Sequence, residues 1–238
     1  MDHVPVIDLS GLVVVPAAAA EATNHRPTND KAASPTPPAE YASSLYRLNQ
    51  LLNSLLMEAL QLDQQDEPLC HELTDEPFCV LKQMKYSCEE VSDPSQGKFG
   101  AGAHTDWGAF TILATDDTPG LQIYNNDGEW LPVPPKPGCF IINSGDQISQ
   151  LTNGYYKSAL HRVVTTTTAR PRYSTAFFTY FGIHATIRPL PRFVEDNNDD
   201  GGTKKLKYPS PQTTLEYFHF KLHESMMVGH NNSGTAAA

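Results

Sequence analysis

The sequence predicts a mainly β chain with flanking helices around a double-stranded β-helix (jelly-roll) core. Two observations carry that expectation. Beyond Phe78, short apolar segments recur between turns rich in Gly, Pro and Asn, and two longer stripes of helical period lie outside them. Short strands with one apolar face each gain most by closing into two packed sheets.

The elements follow in order. Val4-Pro-Val-Ile-Asp-Leu-Ser10 reads as a strand-like opening over residues 1–10. Residues 11–40 are rich in Ala, Pro and Thr and poor in aromatics. Such a stretch buries too little apolar surface to offset its ordering entropy, which makes it a linker. A helical portion is expected over residues 41–77. In it Leu45, Leu48, Leu52, Leu55, Leu56, Ala59 and Leu62 keep the helical period, predicting a helix over 41–62 that covers a sheet. An acidic, turn-rich connection with a short helix follows. The β domain is expected over residues 78–226, with strands at 79–86, 103–106, 111–115, 121–124, 129–133, 139–143, 161–165 and 173–180. Pro132 to Pro137 forms a stiff turn, residues 195–202 an acidic, Gly-rich loop, and residues 213–226 a closing helix. Residues 227–238 read as a disordered tail. No internal repeat is evident.

Composition narrows the function. The 238 residues carry a formal charge of −10, from 27 acids against 17 bases. That balance argues against nucleic acid, which is bound by clustered Lys and Arg; the basic stretch ending at Lys207 reads as a solvated loop. No run approaches the roughly 20 apolar residues of a membrane span, and the first residues lack the basic and apolar regions of a signal peptide. A cytoplasmic setting is the expectation. Cys70, Cys79, Cys88 and Cys139 form no C-x-x-C pair and read as reduced thiols.

The chemistry is concentrated in a few residues. His104 and Asp106 stand two apart, and on one strand that spacing would put both on one face. With His161 they make two imidazoles and a carboxylate, the facial set that leaves open positions on a non-haem Fe(II). Arg172 and Ser174 share the same spacing. A guanidinium fork beside a hydroxyl suits the distal carboxylate of a dicarboxylate cosubstrate. Other residues read more plainly. His219 and His223 lie four apart on the closing helix with no third ligand, and read as an exposed face. His184 falls in a loop. Phe177, Phe178, Tyr180 and Phe181 read as sheet and core aromatics, Trp107 as packing or pocket wall, and Asn143 and Asp146 as a structural turn.

These motifs, in this order, resemble the Fe(II)/2-oxoglutarate-dependent dioxygenases of the isopenicillin N synthase-like branch. The resemblance rests on His104-Thr-Asp106, His161-Arg-Val-Val and Arg172-Tyr-Ser174. It is joined by Gly120-Leu-Gln-Ile-Tyr124, Trp130-Leu-Pro-Val-Pro134, Phe140-Ile-Ile-Asn-Ser-Gly-Asp146 and the opening Val4-Pro-Val-Ile-Asp-Leu-Ser10. It covers roughly residues 78–225 and the first ten. It implies His104, Asp106 and His161 as catalytic Fe(II) ligands, Arg172 and Ser174 as holders of 2-oxoglutarate, and Tyr86 as a contact of cosubstrate or substrate. O2 is the oxidant, with ascorbate an optional accessory. The implied activity is oxidation of a small organic molecule, by hydroxylation or desaturation, with release of succinate and CO2. The family's usual N-terminal motifs are absent, so the N-terminal region reads as shortened. Two alternatives stay open: an Fe(II) oxidase that does not use 2-oxoglutarate, and a vestigial, non-catalytic protein. A monomer is the default.

Overall fold

The computed structural model describes residues 38–62, 66–165, 170–194, 206–208 and 211–231. The strand-like opening, most of the linker, the loop at 195–202 and residues 232–238 lie outside that set.

Helix α1 (Pro38–Ala59) buries Tyr41, Leu45, Leu52 and Leu56 on one side. Leu55 and Ala59, which the sequence stripe includes, face solvent, because a straight 3.6-residue period carries only one narrow line of positions to the sheet. Gln61 adopts φ 52°, and the Leu62 N–H reaches back to the Met57 carbonyl at 3.2 Å, ending the helix in a left-handed cap. Arg192 binds the freed carbonyls of Leu60 and Gln61 and pairs with Asp66 at 2.8 Å. Helix α2 (Glu67–Thr74) occupies the acidic connection, as expected.

Eight strands then form two four-stranded antiparallel sheets. They are β1 (Pro77–Tyr86), β2 (Ala101–His104), β3 (Phe110–Thr115), β4 (Leu121–Tyr124), β5 (Trp130–Pro132), β6 (Ile141–Ser144), β7 (His161–Val163) and β8 (Arg172–Gly182). One sheet runs β1-β8-β3-β6 and the other β2-β7-β4-β5. This is the jelly-roll core expected. Helix α3 (Asp146–Leu151) and a ribbon of β9 (Thr186–Ile187) with β10 (Gln212–Thr213) were not expected; both are too short for periodicity to mark.

Period-two alternation divides each strand between two environments. Leu81, Ile112, Ile142 and Phe177 point outward, where α1 lays Tyr41, Leu45 and Leu52 on them. Tyr86, Leu113 and Ile141 point inward against Leu121, Ile123 and Val163 of the other sheet. A third cluster, around Leu60, Leu73, Ile148, Leu151 and Phe181, closes one end. Helix α4 (Thr214–Asn231) begins with a capping box: Thr213 N–H donates to Glu216 Oε2 at 2.8 Å, and Glu216 N–H to Thr213 Oγ1 at 3.2 Å. It continues past Met226, where the sequence reading ends it. Among the described residues no helix is long and apolar enough to cross a membrane.

Candidate active site

His104 ends β2 and His161 begins β7, paired neighbours in one sheet. Asp106 is not on the strand. It lies two residues beyond the end of β2, so a shared strand face does not bring it to His104. The turn does: the Asp106 and Gly108 carbonyls accept the N–H groups of Asp146 and Gln147 at 2.8 and 3.0 Å, and Ala109 N–H donates to the Thr179 carbonyl at 2.7 Å. Two glycines permit this closeness. A Cβ on Gly108 would stand 2.1 Å from the Thr179 carbonyl oxygen, and one on Gly145 would stand 2.3 Å from that of Gly108.

The result is a compact donor set. His104 Nε2 and His161 Nε2 lie 3.9 and 3.8 Å from Asp106 Oδ1, and the three candidate ligand atoms fall within 4.8 Å of one another. Each residue's other polar atom is already occupied. His104 Nδ1 meets the Gly102 carbonyl at 2.7 Å, and His161 Nδ1 the Ala159 carbonyl at 2.8 Å. A carbonyl only accepts, so both Nδ1 atoms carry the proton and both Nε2 lone pairs are free. Asp106 Oδ2 accepts from Thr111 Oγ1 at 2.6 Å and from Asn143 Nδ2 at 2.8 Å, leaving Oδ1 to face the imidazoles. Desolvation is the main influence holding His104 below the ordinary histidine pKa, which favours the neutral ligating form. These atoms fit a single divalent first-row ion with positions left for substrates.

Arg172 and Ser174, on β8, are buried at 4% and 5% exposure, while Tyr173 between them faces out. Arg172 Nε and Nη1 and Ser174 Oγ have no hydrogen-bond partner among the described residues. Tyr86, opposite Arg172 in the β1–β8 register, sets its ring 5.2 Å from the guanidinium carbon. Gly120 leaves room for the arginine stem, since a Cβ there would meet Arg172 Cδ at 3.2 Å and the Val164 carbonyl oxygen at 2.9 Å. Buried guanidinium nitrogens without an acceptor are costly, and a carboxylate is a ligand that offsets the cost. The cleft of about 120 Å³ beside Tyr86 is lined by Lys85, Ser92, Lys98 and Thr165 but by none of the triad, Arg172 or Ser174. The donor geometry, not that cleft, marks the site.

Thr111 and Asn143 escaped the sequence reading, which gave Asn143 only a turn role. They meet at Asp106 because β3 and β6 pair Thr111 with Asn143, a register invisible in the linear text. His219, His223 and His184 are exposed and apart from the triad. Trp107 packs 6.0 Å from Phe218 of α4, beside the ligand turn.

Residues 77–180 match the 2OG-Fe(II) oxygenase superfamily model. They belong to that superfamily. A 2-oxoglutarate-dependent dioxygenase of Monascus ruber is 35% identical over 150 residues, covering 62% of this chain and 45% of its own length. A 1-aminocyclopropane-1-carboxylate oxidase of Dictyostelium discoideum is 42% identical over 107 residues, 44% of this chain and 28% of its own. In structure, the chain resembles JOX2 in complex with 2OG, Fe and JA, with a TM-score of 0.62 and 29% identity, covering 84% of this chain and 56% of that one. The chain thus spans about half the length of, or less than, the curated relatives it matches.

Proposed function

We propose that this protein is a non-haem Fe(II)- and 2-oxoglutarate-dependent dioxygenase that oxidises a small organic molecule, releasing succinate and CO2. The observation that carries the reading is the buried Arg172 fork, whose Nε and Nη1 lack a partner among the described residues, with Ser174 inside the same sandwich as the His104–Asp106–His161 donor set. In this reading His104, Asp106 and His161 hold the iron, and Arg172 and Ser174 take the far carboxylate of 2-oxoglutarate. Tyr86 flanks the guanidinium and shields it from water. Bound iron supplies the means to couple O2 reduction and oxidative decarboxylation of the cosubstrate to C–H oxidation. The chain's own part is orientation: the two Nδ1–carbonyl bonds aim the imidazoles, and Thr111 with Asn143 turns Asp106 so that one oxygen faces them. Residues 78–226 form the catalytic domain in this reading, with 41–77 a helical support, and the setting is cytoplasmic.

Oxidases by name stand among the relatives, which keeps a second reading: iron-dependent oxidation without 2-oxoglutarate. Calorimetric titration of anaerobic protein with Fe(II), with and without 2-oxoglutarate, separates the two. Iron binding that tightens with 2-oxoglutarate, and loses that gain in Arg172→Ala, is expected. Iron binding indifferent to 2-oxoglutarate supports the oxidase, and no iron binding by folded protein supports a vestigial site.

A further inference from the structure

Thr214, Tyr217, Phe218 and Lys221 stand at i, i+3, i+4 and i+7 of helix α4 and so share one of its sides. All four meet residues that flank the ligand turn. Thr214 Oγ1 accepts from Gln147 Nε2 at 2.9 Å, and Tyr217 Oη donates to Asp146 Oδ2 at 2.8 Å. Trp107, the neighbour of Asp106, has the Phe218 ring and Lys221 Nζ each 6.0 Å from its ring centre. Asp146 and Gln147 are also the residues that hold the turn. Asp146 N–H donates to the Asp106 carbonyl at 2.8 Å, and Gln147 N–H to the Gly108 carbonyl at 3.0 Å. Gln147 is fully buried, and its Oε1 takes the Phe181 N–H of β8 at 2.9 Å, so this junction has little freedom. Burial contributes much less to holding α4 itself. Of its described side chains only Thr214 is buried, and the rest are half-buried or exposed. Phe218 adds ring contacts to Phe78 and Tyr180, at 5.1 and 5.5 Å between centroids. A helix with so little burial opens locally at small cost, and its few polar contacts then matter to where it sits.

We propose that Tyr217 is a positioning residue for Asp106: its hydroxyl, acting through Asp146, couples the docking of α4 to metal binding at the His104–Asp106–His161 set. This inference rests on the reading of that set as an Fe(II) site. A phenol–carboxylate hydrogen bond is charge-assisted and therefore among the stronger contacts a half-buried side chain can make. Here it fixes the residue whose own N–H holds the Asp106 carbonyl. A shift of α4 is thereby passed to the ligand turn, and whatever fixes Asp106 steadies α4 in return. Linkage requires the two effects to be equal in size.

The test pairs calorimetric titration with Fe(II) and amide hydrogen exchange read by mass spectrometry, on the anaerobic full chain with and without saturating Fe(II). In the wild type Fe(II) is expected to slow exchange in residues 215–222 of α4 by about fivefold or more, the lower range of coupling between two sites. Tyr217→Phe keeps the ring and removes only the hydroxyl. It should lower Fe(II) affinity and the iron-induced protection of α4 by the same factor. Phe220→Ala changes the exposed side of the same helix and should alter neither. Faster exchange of α4 in Tyr217→Phe with wild-type Fe(II) affinity would make the bond merely structural and overturn the proposal. Absence of iron-induced protection in the wild type, or equal losses in Phe220→Ala, would overturn it as well. Folded wild type that binds no Fe(II) would instead strike the metal reading itself, before any variant is compared.

Discussion

The two oxygens of Asp106 have different work: Oδ1 faces both imidazoles, and Oδ2 is held by Thr111 and Asn143. Removing one of those donors frees the carboxylate to rotate and leaves a buried oxygen short of a partner. Asn143→Leu is therefore expected to weaken Fe(II) binding by roughly 10–100-fold while the protein stays folded, as titration and circular dichroism would show. Unchanged iron affinity would mean that the Asn143 bond does not orient the ligand. Arg172 makes the opposite kind of case. Its buried charge, with Nε and Nη1 unsatisfied among the described residues, costs stability without a ligand, so Arg172→Met should raise the Tm of the ligand-free protein. A gain of about 1 kcal/mol corresponds to roughly 2–4 °C at this size. The same variant should lose the Tm increase that 2-oxoglutarate gives the Fe(II)-loaded wild type. A lower Tm for the ligand-free variant would show that the guanidinium is satisfied without a cosubstrate.

At the scale of elements, the turn between β2 and β3 is the part that turns a two-residue motif into a site. Backbone bonds fasten it to β8 on one side and to the start of α3 on the other. The contact at Gly108 is so close that any side chain must displace the β8 carbonyl. Gly108→Ala should destabilise the fold by about 1–3 kcal/mol and lower iron affinity with it, measured by urea melts and titration. A variant with wild-type stability would show that the turn can move away from β8. The expected strands at 103–106 and 161–165 failed at their ends for a related reason: tertiary hydrogen bonds at the turns, not local alternation, decide where a strand stops. By contrast, the 121–124 strand matches the expected bounds, and the closing helix starts within one residue of the expected position.

For the whole molecule, the site depends on both sheets at once. β2 and β7 carry the histidines, β3 and β6 fix Asp106 from the facing sheet, and β8 carries Arg172 and Ser174. Ligands that bridge the two sheets should therefore stabilise the sandwich as a unit. Fe(II) with 2-oxoglutarate, each at 100 times its Kd, should add at least about 2.7 kcal/mol, reversed by a chelator, in anaerobic melts followed by circular dichroism. Absence of any shift would mean that the site forms no ligand-bound state.

Residue types and the order of motifs along the chain were enough to mark His104, Asp106, His161, Arg172 and Ser174 as candidates, and apolar patterning to expect two packed sheets. Ligand chemistry limits which residue types can serve, and strand alternation repeats every two residues, so both leave a local trace. Thr111, Asn143 and Gly108 left none. Their parts depend on strand register and on how closely backbones approach, and those follow from the packing of segments far apart in the chain.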